Sequence, residues 1–173
     1  MRQSISTCRS AAARRSAPFV CASMVVLLAA TGVGAQEQCR QVNGHYVERA
    51  VAPRCPSPVE LCIEGEFSGG VRGAFAVTAT ALTPTADTPT TAVVHFTGDG
   101  VIHARIGARE GDLFFKSAGA FHTVGTGEIV DLQVITGGTG ALTGASGALH
   151  ASGTFDPATG SGESEYTGTV CLP

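Results

Sequence analysis

Between Val59 and Pro173 apolar and polar residues alternate in short runs, β-branched residues are frequent, and glycine recurs at close intervals. A period of two puts successive side chains on opposite faces of an extended chain, so the pattern describes half-buried strands. In Leu61-Cys62-Ile63-Glu64-Gly65-Glu66-Phe67 the odd positions are apolar; in Tyr166-Thr167-Gly168-Thr169-Val170-Cys171 the even ones are. Ala92, Val94, Phe96, Ile102, Ala104 and Ile106 keep one parity across Gly98-Asp99-Gly100, which fits one long kinked strand or a hairpin. Further strands are expected at about Leu113–Thr123 and Glu128–Ile135, and Pro84–Thr90 (PTADTPT) reads as a surface loop. No amphipathic helix is evident. Seven strands follow from the pattern, with an eighth expected from the Gly98–Gly100 kink or from the N-terminal segment.

Turn residues give trial registers. A three-residue loop at Ser68-Gly69-Gly70 sets Ile63 against Phe75, Gly65 against Gly73 and Glu66 against Arg72. A four-residue loop in Asp156-Pro157-Ala158-Thr159-Gly160 aligns Phe155, Ala151 and Leu149 with Gly162, Tyr166 and Gly168. If Cys62 bonds Cys171 across antiparallel neighbours, Ile63 faces Val170, Gly65 faces Gly168 and Phe67 faces Tyr166. Apart from Glu66–Arg72, which lies on the solvent side, these pairs fall on one apolar face, which a one-residue slip would destroy. First and last strands paired make a closed barrel, which removes exposed sheet edges. Gly65, Gly73 and Gly168 are then expected in one row, suited to a sharp bend or to a hollow for a ligand.

The N-terminal residues change the picture of compartment and charge. Arg2, Arg9, Arg14 and Arg15 precede an apolar run from about Ala17 to Ala30 and the small-residue exit Val33-Gly34-Ala35. This order describes a secretory signal peptide over residues 1–35, cleaved after Ala35, and the run is shorter than the ~20 residues of a membrane span. The expected location is secreted or periplasmic. The division of the chain is then leader 1–35, a largely irregular segment 36–58 with Pro53, Pro56 and Pro58 and room for a short strand near Tyr46–Val51, and a β-barrel domain 59–173. Loss of four arginines takes the basic residues from 11 to 7 against 14 acids, so net charge falls from −3 to −7. An acidic chain without a Lys/Arg cluster is a poor partner for nucleic acid. Cys8 and Cys21 leave with the leader, and Cys39, Cys55, Cys62 and Cys171 read as two disulfides. The spacing of Cys55 and Cys62 lacks the close ligand pairs of a zinc site, so no metal is expected.

Motifs for cofactor and nucleophile chemistry fail. Gly138-x-Gly140-x-x-Thr143 lacks the third glycine of a dinucleotide fingerprint and no helix follows, so no cofactor is expected. Gly144-Ala145-Ser146-Gly147-Ala148 does not fit a nucleophile elbow. By parity His95, His103, His122 and His150 share the polar face with Glu64, Glu66, Arg105, Lys116, Asp131 and Glu165, the pattern of a solvated surface. The apolar face carries few titratable groups: Tyr166, with Glu128 near a strand end and Ser117 and Ser164 as weak donors. Tyr166 and Glu128 are therefore the candidate catalytic residues, although general acid–base work calls for a pair with separated pKa values.

The GGTG and GASG turns within residues 137–147, followed by an alternating strand and a closing one, resemble the barrel superfamily of allene oxide cyclases and dirigent proteins. The wording is similar also to uncharacterised secreted bacterial barrel proteins. The resemblance is specific over about 134–156 and compatible over about 59–173. It implies an eight-stranded antiparallel barrel with a largely apolar cavity, and its plant members are commonly trimeric, which makes a homo-oligomer an expectation. Their catalytic carboxylate and amide have no assigned counterpart here; the one Asn after the leader is Asn43. The expected function is binding of a small hydrophobic molecule by Phe67, Phe75, Leu149, Phe155 and Tyr166. An isomerase or cyclase acting in the same cavity is the alternative, and a structural or adhesive module with a solid core the third.

Overall fold

A computed structural model describes residues 37–51, 55–85, 92–124 and 127–173. The proposed signal peptide lies outside the described residues, as does most of the loop expected at 84–90. Eight antiparallel strands close into a barrel in chain order: β1 (Gln38–Val51), β2 (Cys62–Gly69), β3 (Gly73–Pro84), β4 (Val93–Ile106), β5 (Arg109–His122), β6 (Glu128–Gly138), β7 (Ser146–Asp156) and β8 (Ser161–Leu172). The all-β closed barrel is as the alternation implies. Gly98-Asp99-Gly100 lies inside a single continuous β4. No helix among the described residues is long and apolar enough to cross a membrane.

The largest correction concerns the seam. Residues 38–51 are not irregular: they form the eighth strand, which pairs with β8 on one side and β2 on the other. Cys62 and Cys171 are therefore two strands apart and do not bond. Cys39 bonds Cys171 across the β1–β8 seam, and Cys55 bonds Cys62 in a short loop before β2. The strand escapes a pattern search because its inward positions are Val42, Gly44, Tyr46, Glu48 and Ala50, of which few are large and apolar. Asn43 belongs to this strand, on its exposed face.

The β7–β8 register is as the turn residues imply, with Phe155 against Gly162, Ala151 against Tyr166 and Leu149 against Gly168. The β2–β3 register differs by two residues: Gly65 faces Phe75, Phe67 faces Gly73 and Ile63 faces Val77. An even shift preserves the faces, so the inward set is unchanged while its neighbours are not. Glycines consequently sit beside large residues instead of forming a row. A Cβ on Gly65 would strike the Phe75 ring, and one on Gly168 would come within 2.9 Å of Leu149 Cδ2. These recesses are filled by protein side chains, as in many small barrels.

Packing is tightest at the end of the barrel that carries the β2–β3, β4–β5 and β6–β7 connections. Val71, Ile106, Leu113, Leu142 and Val170 are fully buried there. The glycine-rich connection at 137–147 is the turn that its composition implies. Gly140 (φ 57°) and Gly144 (φ 78°) take left-handed conformations around a short 3-10 turn, Gly140–Leu142, which carries Leu142 into the plug. Above the plug Tyr46, Phe67, Phe75 and Tyr166 interlock, with ring centroids 4.8 Å apart for Tyr46–Phe67 and 5.2 Å for Phe67–Tyr166.

Candidate functional site

Strand β6 has an inverted pattern that directs attention to the middle of the barrel. Asp131 and Gln133 share the inward parity of Ile129 and Ile135, while Val130, Leu132 and Val134 are exposed. The expectation that Asp131 lies on the polar outer face is thus overturned. Its neighbours fix the choice: Asp131 faces Ala151, and Gln133 faces Leu149, an inward residue of β7. Burial of the carboxylate is offset by hydrogen bonds. Ser117 Oγ donates to Asp131 Oδ1 at 2.7 Å and Gln133 Nε2 donates to Oδ2 at 2.9 Å. Even so, loss of solvent raises the Asp131 pKa, with these bonds and the backbone amides of Ala118 and Leu132 working against it.

From the opposite wall β1 contributes Glu48 and Tyr46. Glu48 stands between Gly65 of β2 and Gly162 of β8. A Cβ on Gly162 would lie 3.0 Å from Glu48 Oε1, so the missing side chain leaves the carboxyl its space. Burial, and then the charge of Asp131, push the Glu48 pKa from 4.5 to about 7. Tyr46 is raised above its ordinary range by burial and by the charges of Glu48 and Asp131. Two buried polar atoms have no hydrogen-bond partner among their described neighbours, Glu48 Oε1 and Gln133 Oε1, while the Ser164 hydroxyl sits against Tyr46 and counters the rise in its pKa. Ser164 is paired with Tyr46 across the β1–β8 ladder. The described cations lie elsewhere. Arg40, Arg49, Arg72, Arg105 and Lys116 are exposed, and Arg109 donates to the Pro173 carbonyl at 2.8 Å. The interior layer is therefore acidic, with no counter-charge among the described residues.

Beyond this layer, toward the end where β1, β3, β5 and β7 finish, the interior becomes apolar again. Phe121 lies 6.2 Å from Phe96 and 5.7 Å from Phe155, ring centre to ring centre. With Ile63, Val77, Ala79 and Ile129 these rings bound an apolar pocket of about 60 Å³. The register links pocket to acids: Phe96 faces Gly119, which faces Asp131, and Phe155 faces Gly162, which faces Glu48. The loop closed by Cys55–Cys62 supplies a further wall residue, Leu61, whose carbonyl accepts from the Ala79 amide at 3.0 Å. Ser57 Oγ ties the same loop down by donating to the Ala79 carbonyl at 2.7 Å. Larger depressions lie outside the sheet among Glu64, Glu66 and His103, or among His95, His150, Val130 and Leu132.

Of the five candidate lining residues, Phe155 is at this pocket. Phe67, Phe75, Leu149 and Tyr166 are packed in the core beneath it. The Tyr166 hydroxyl accepts from the Val71 amide at 2.9 Å, and the Val71 and Ser68 carbonyls lie 3.0 and 3.1 Å away as its acceptors. It thereby anchors the β2–β3 connection, and burial raises its pKa. Replacing Tyr166 with Phe is expected to leave the buried Val71 amide without a partner and to cost about 1–3 kcal/mol. Equilibrium denaturation measures this; an unchanged midpoint would remove the anchoring role. Glu128 is exposed at the start of β6.

Sequence reasoning missed Glu48, Tyr46, Asp131 and Gln133. The available signal was the shared parity of Asp131 and Gln133 with Ile129 and Ile135. Among the histidines, His95, His103 and His150 are exposed, and His103 Nδ1 lies 2.6 Å from Asp112 Oδ1. That contact and the Thr139 hydroxyl hold the Asp112 pKa below its ordinary value. Glu37, Cys39 and Cys171 cluster closely enough to suggest a metal site, but both sulfurs are consumed in the disulfide.

No family model matches the chain, and no curated protein matches it. Solved structures do show a likeness. The structure of the pterocarpan synthase dirigent protein GePTS1 aligns with a TM-score of 0.46 and 12% identity, covering 79% of this chain and 92% of that one.

Proposed function

We propose that this protein binds a small hydrophobic molecule at the open end of its barrel, with Phe155, Phe96, Phe121, Ile129 and Val77 as the contact surface. The observation that carries the reading is a pocket walled by apolar side chains and placed next to buried, incompletely paired polar groups. Binding sites commonly have that make-up, an apolar surface with a few polar groups that set orientation. A volume of about 60 Å³ is well below the ~150 Å³ of an engineered cavity that holds benzene. The pocket therefore takes only a short segment of an aliphatic or aromatic molecule. Secretion, the leader and any homo-oligomer belong to this proposal as its expected setting.

The test is titration of the protein with a fluorescent naphthalene probe, followed by displacement with short alcohols. Binding is expected in the native protein, and Val77→Phe, which fills the pocket from β3, is expected to weaken it at least tenfold. If the native protein leaves the probe free, or if Val77→Phe binds it equally well, the reading is wrong.

The alternative, an isomerase or cyclase, is supported by one observation. Burial, and then the charge of Asp131 across the interior, push Glu48 up to about 7, a setting in which one carboxyl can give or take a proton near neutrality. Turnover of an epoxide or polyene substrate that disappears with Glu48→Gln would establish it; turnover that survives would assign Glu48 no catalytic part.

A further inference from the structure

The unpaired atoms of the interior layer have a chemical direction. Glu48 Oε1 and Gln133 Oε1 are hydrogen-bond acceptors. Gln133 is only 3% exposed, so bulk water does not routinely satisfy its Oε1. The amide of Gln133 is already oriented, because its Nε2 is spent on Asp131 Oδ2. That leaves Oε1 as the free end of a network whose other member is a carboxylate. Nothing cationic among the described residues enters this layer. A ligand whose head is rich in donors and positively charged supplies both missing terms, the hydrogen bonds and the counter-charge. An ammonium group brings three N–H donors in a compact head.

Resting on the apolar-pocket reading above, we propose that pocket and acidic layer form one site for a small amphipathic amine, its hydrocarbon end among Phe96, Phe121 and Phe155 and its ammonium directed toward Glu48, Asp131 and Gln133 Oε1. Alcohols of the same length share the tail contacts but bring one donor and no charge. Carboxylates of that length bring a repelling charge. The groups facing Glu48 are Tyr46 on its own strand, Gly65 on β2, Gly162 and Ser164 on β8, and Asp131 across the interior. Of these only Tyr46 and Asp131 titrate. Amine binding is therefore expected to tighten from pH 5 to pH 8, as Glu48 becomes charged.

The experiment is calorimetric titration of the full chain at pH 8 with hexylammonium, 1-hexanol and hexanoate. Hexylammonium is expected to bind at least tenfold tighter than 1-hexanol, with hexanoate weakest. Glu48→Gln should reduce the amine–alcohol ratio below about threefold, chiefly by weakening hexylammonium. Glu66→Gln, on the outer surface, should leave the ratio as it is. Equal binding of amine and alcohol to the native protein would overturn the amine assignment and leave the apolar pocket standing. Loss of the amine preference in Glu66→Gln would place the amine outside the barrel and overturn it too. Failure of 1-hexanol and hexylammonium alike to bind would sink the apolar-pocket reading and this one with it.

Discussion

Replacing Cys39 and Cys171 together with serine is expected to lower the stability of the barrel by about 5 kcal/mol. The bond joins residues 132 apart in sequence, so cutting it returns a long loop's worth of freedom to the unfolded chain. A domain of this size is commonly stable by only about 5–15 kcal/mol, so the variant would stand close to unfolding. The bond also lies across the β1–β8 seam, the pairing that turns a meander into a closed barrel. Cys55–Cys62 spans only 7 residues, and its loss is expected to cost roughly 2 kcal/mol on the same entropic argument. Its effect should appear at the pocket instead, because the loop it closes carries Leu61. Denaturant titration of the two double-serine variants, each without reductant, checks the difference. Equal losses would mean that the seam bond does not act through chain closure.

The second large effect concerns pH. The folded protein holds the Glu48 proton until about pH 7, whereas an exposed glutamate releases it near 4.5. Between those values the folded state binds more protons than the unfolded state, so stability falls as pH rises through the window and levels off above 7. The shift corresponds to on the order of 3 kcal/mol. Asp131, also raised, adds a slope of the same sign. Asp112 and Asp156 are lowered and act oppositely. Their contribution is complete above the ordinary aspartate pKa and is lost only as pH falls below it. Stability is therefore expected to peak at mildly acidic pH. Glu48→Gln should flatten most of the slope between pH 5 and 7 and raise stability at pH 8. A variant with the native slope would show that Glu48 is not the group responsible.

Legibility differed from strand to strand for identifiable reasons. β4, β7 and β8 each bury large apolar residues at every second or fourth position, and the turn at Asp156–Gly160 pins the β7–β8 register. β1 hides its period because its inward face carries a glycine, a carboxyl and an alanine beside Val42 and Tyr46. β6 hides its orientation because both of its faces contain aliphatic residues. Which face turned inward depended on neighbours distant in sequence, Gly119 and Ser117 on β5 and Ala151 on β7.

The cysteines show the same boundary. Their even number after the leader implied two bonds, but partner choice depends on which strands are adjacent. Inserting β1 between β2 and β8 exchanged the partners. The candidate site was the least legible part, since its acids come from one strand without a visible period and another read with the wrong face inward. Composition and two-residue periodicity by themselves determined an all-β chain and the turns at Asp156–Gly160 and Gly137–Gly147, because those depend on local backbone preference and on burying one face. The tertiary structure alone decided the seam that closes the barrel, the bond pairing and the turning of Glu48 and Asp131 into one interior, because these depend on which distant segments share it.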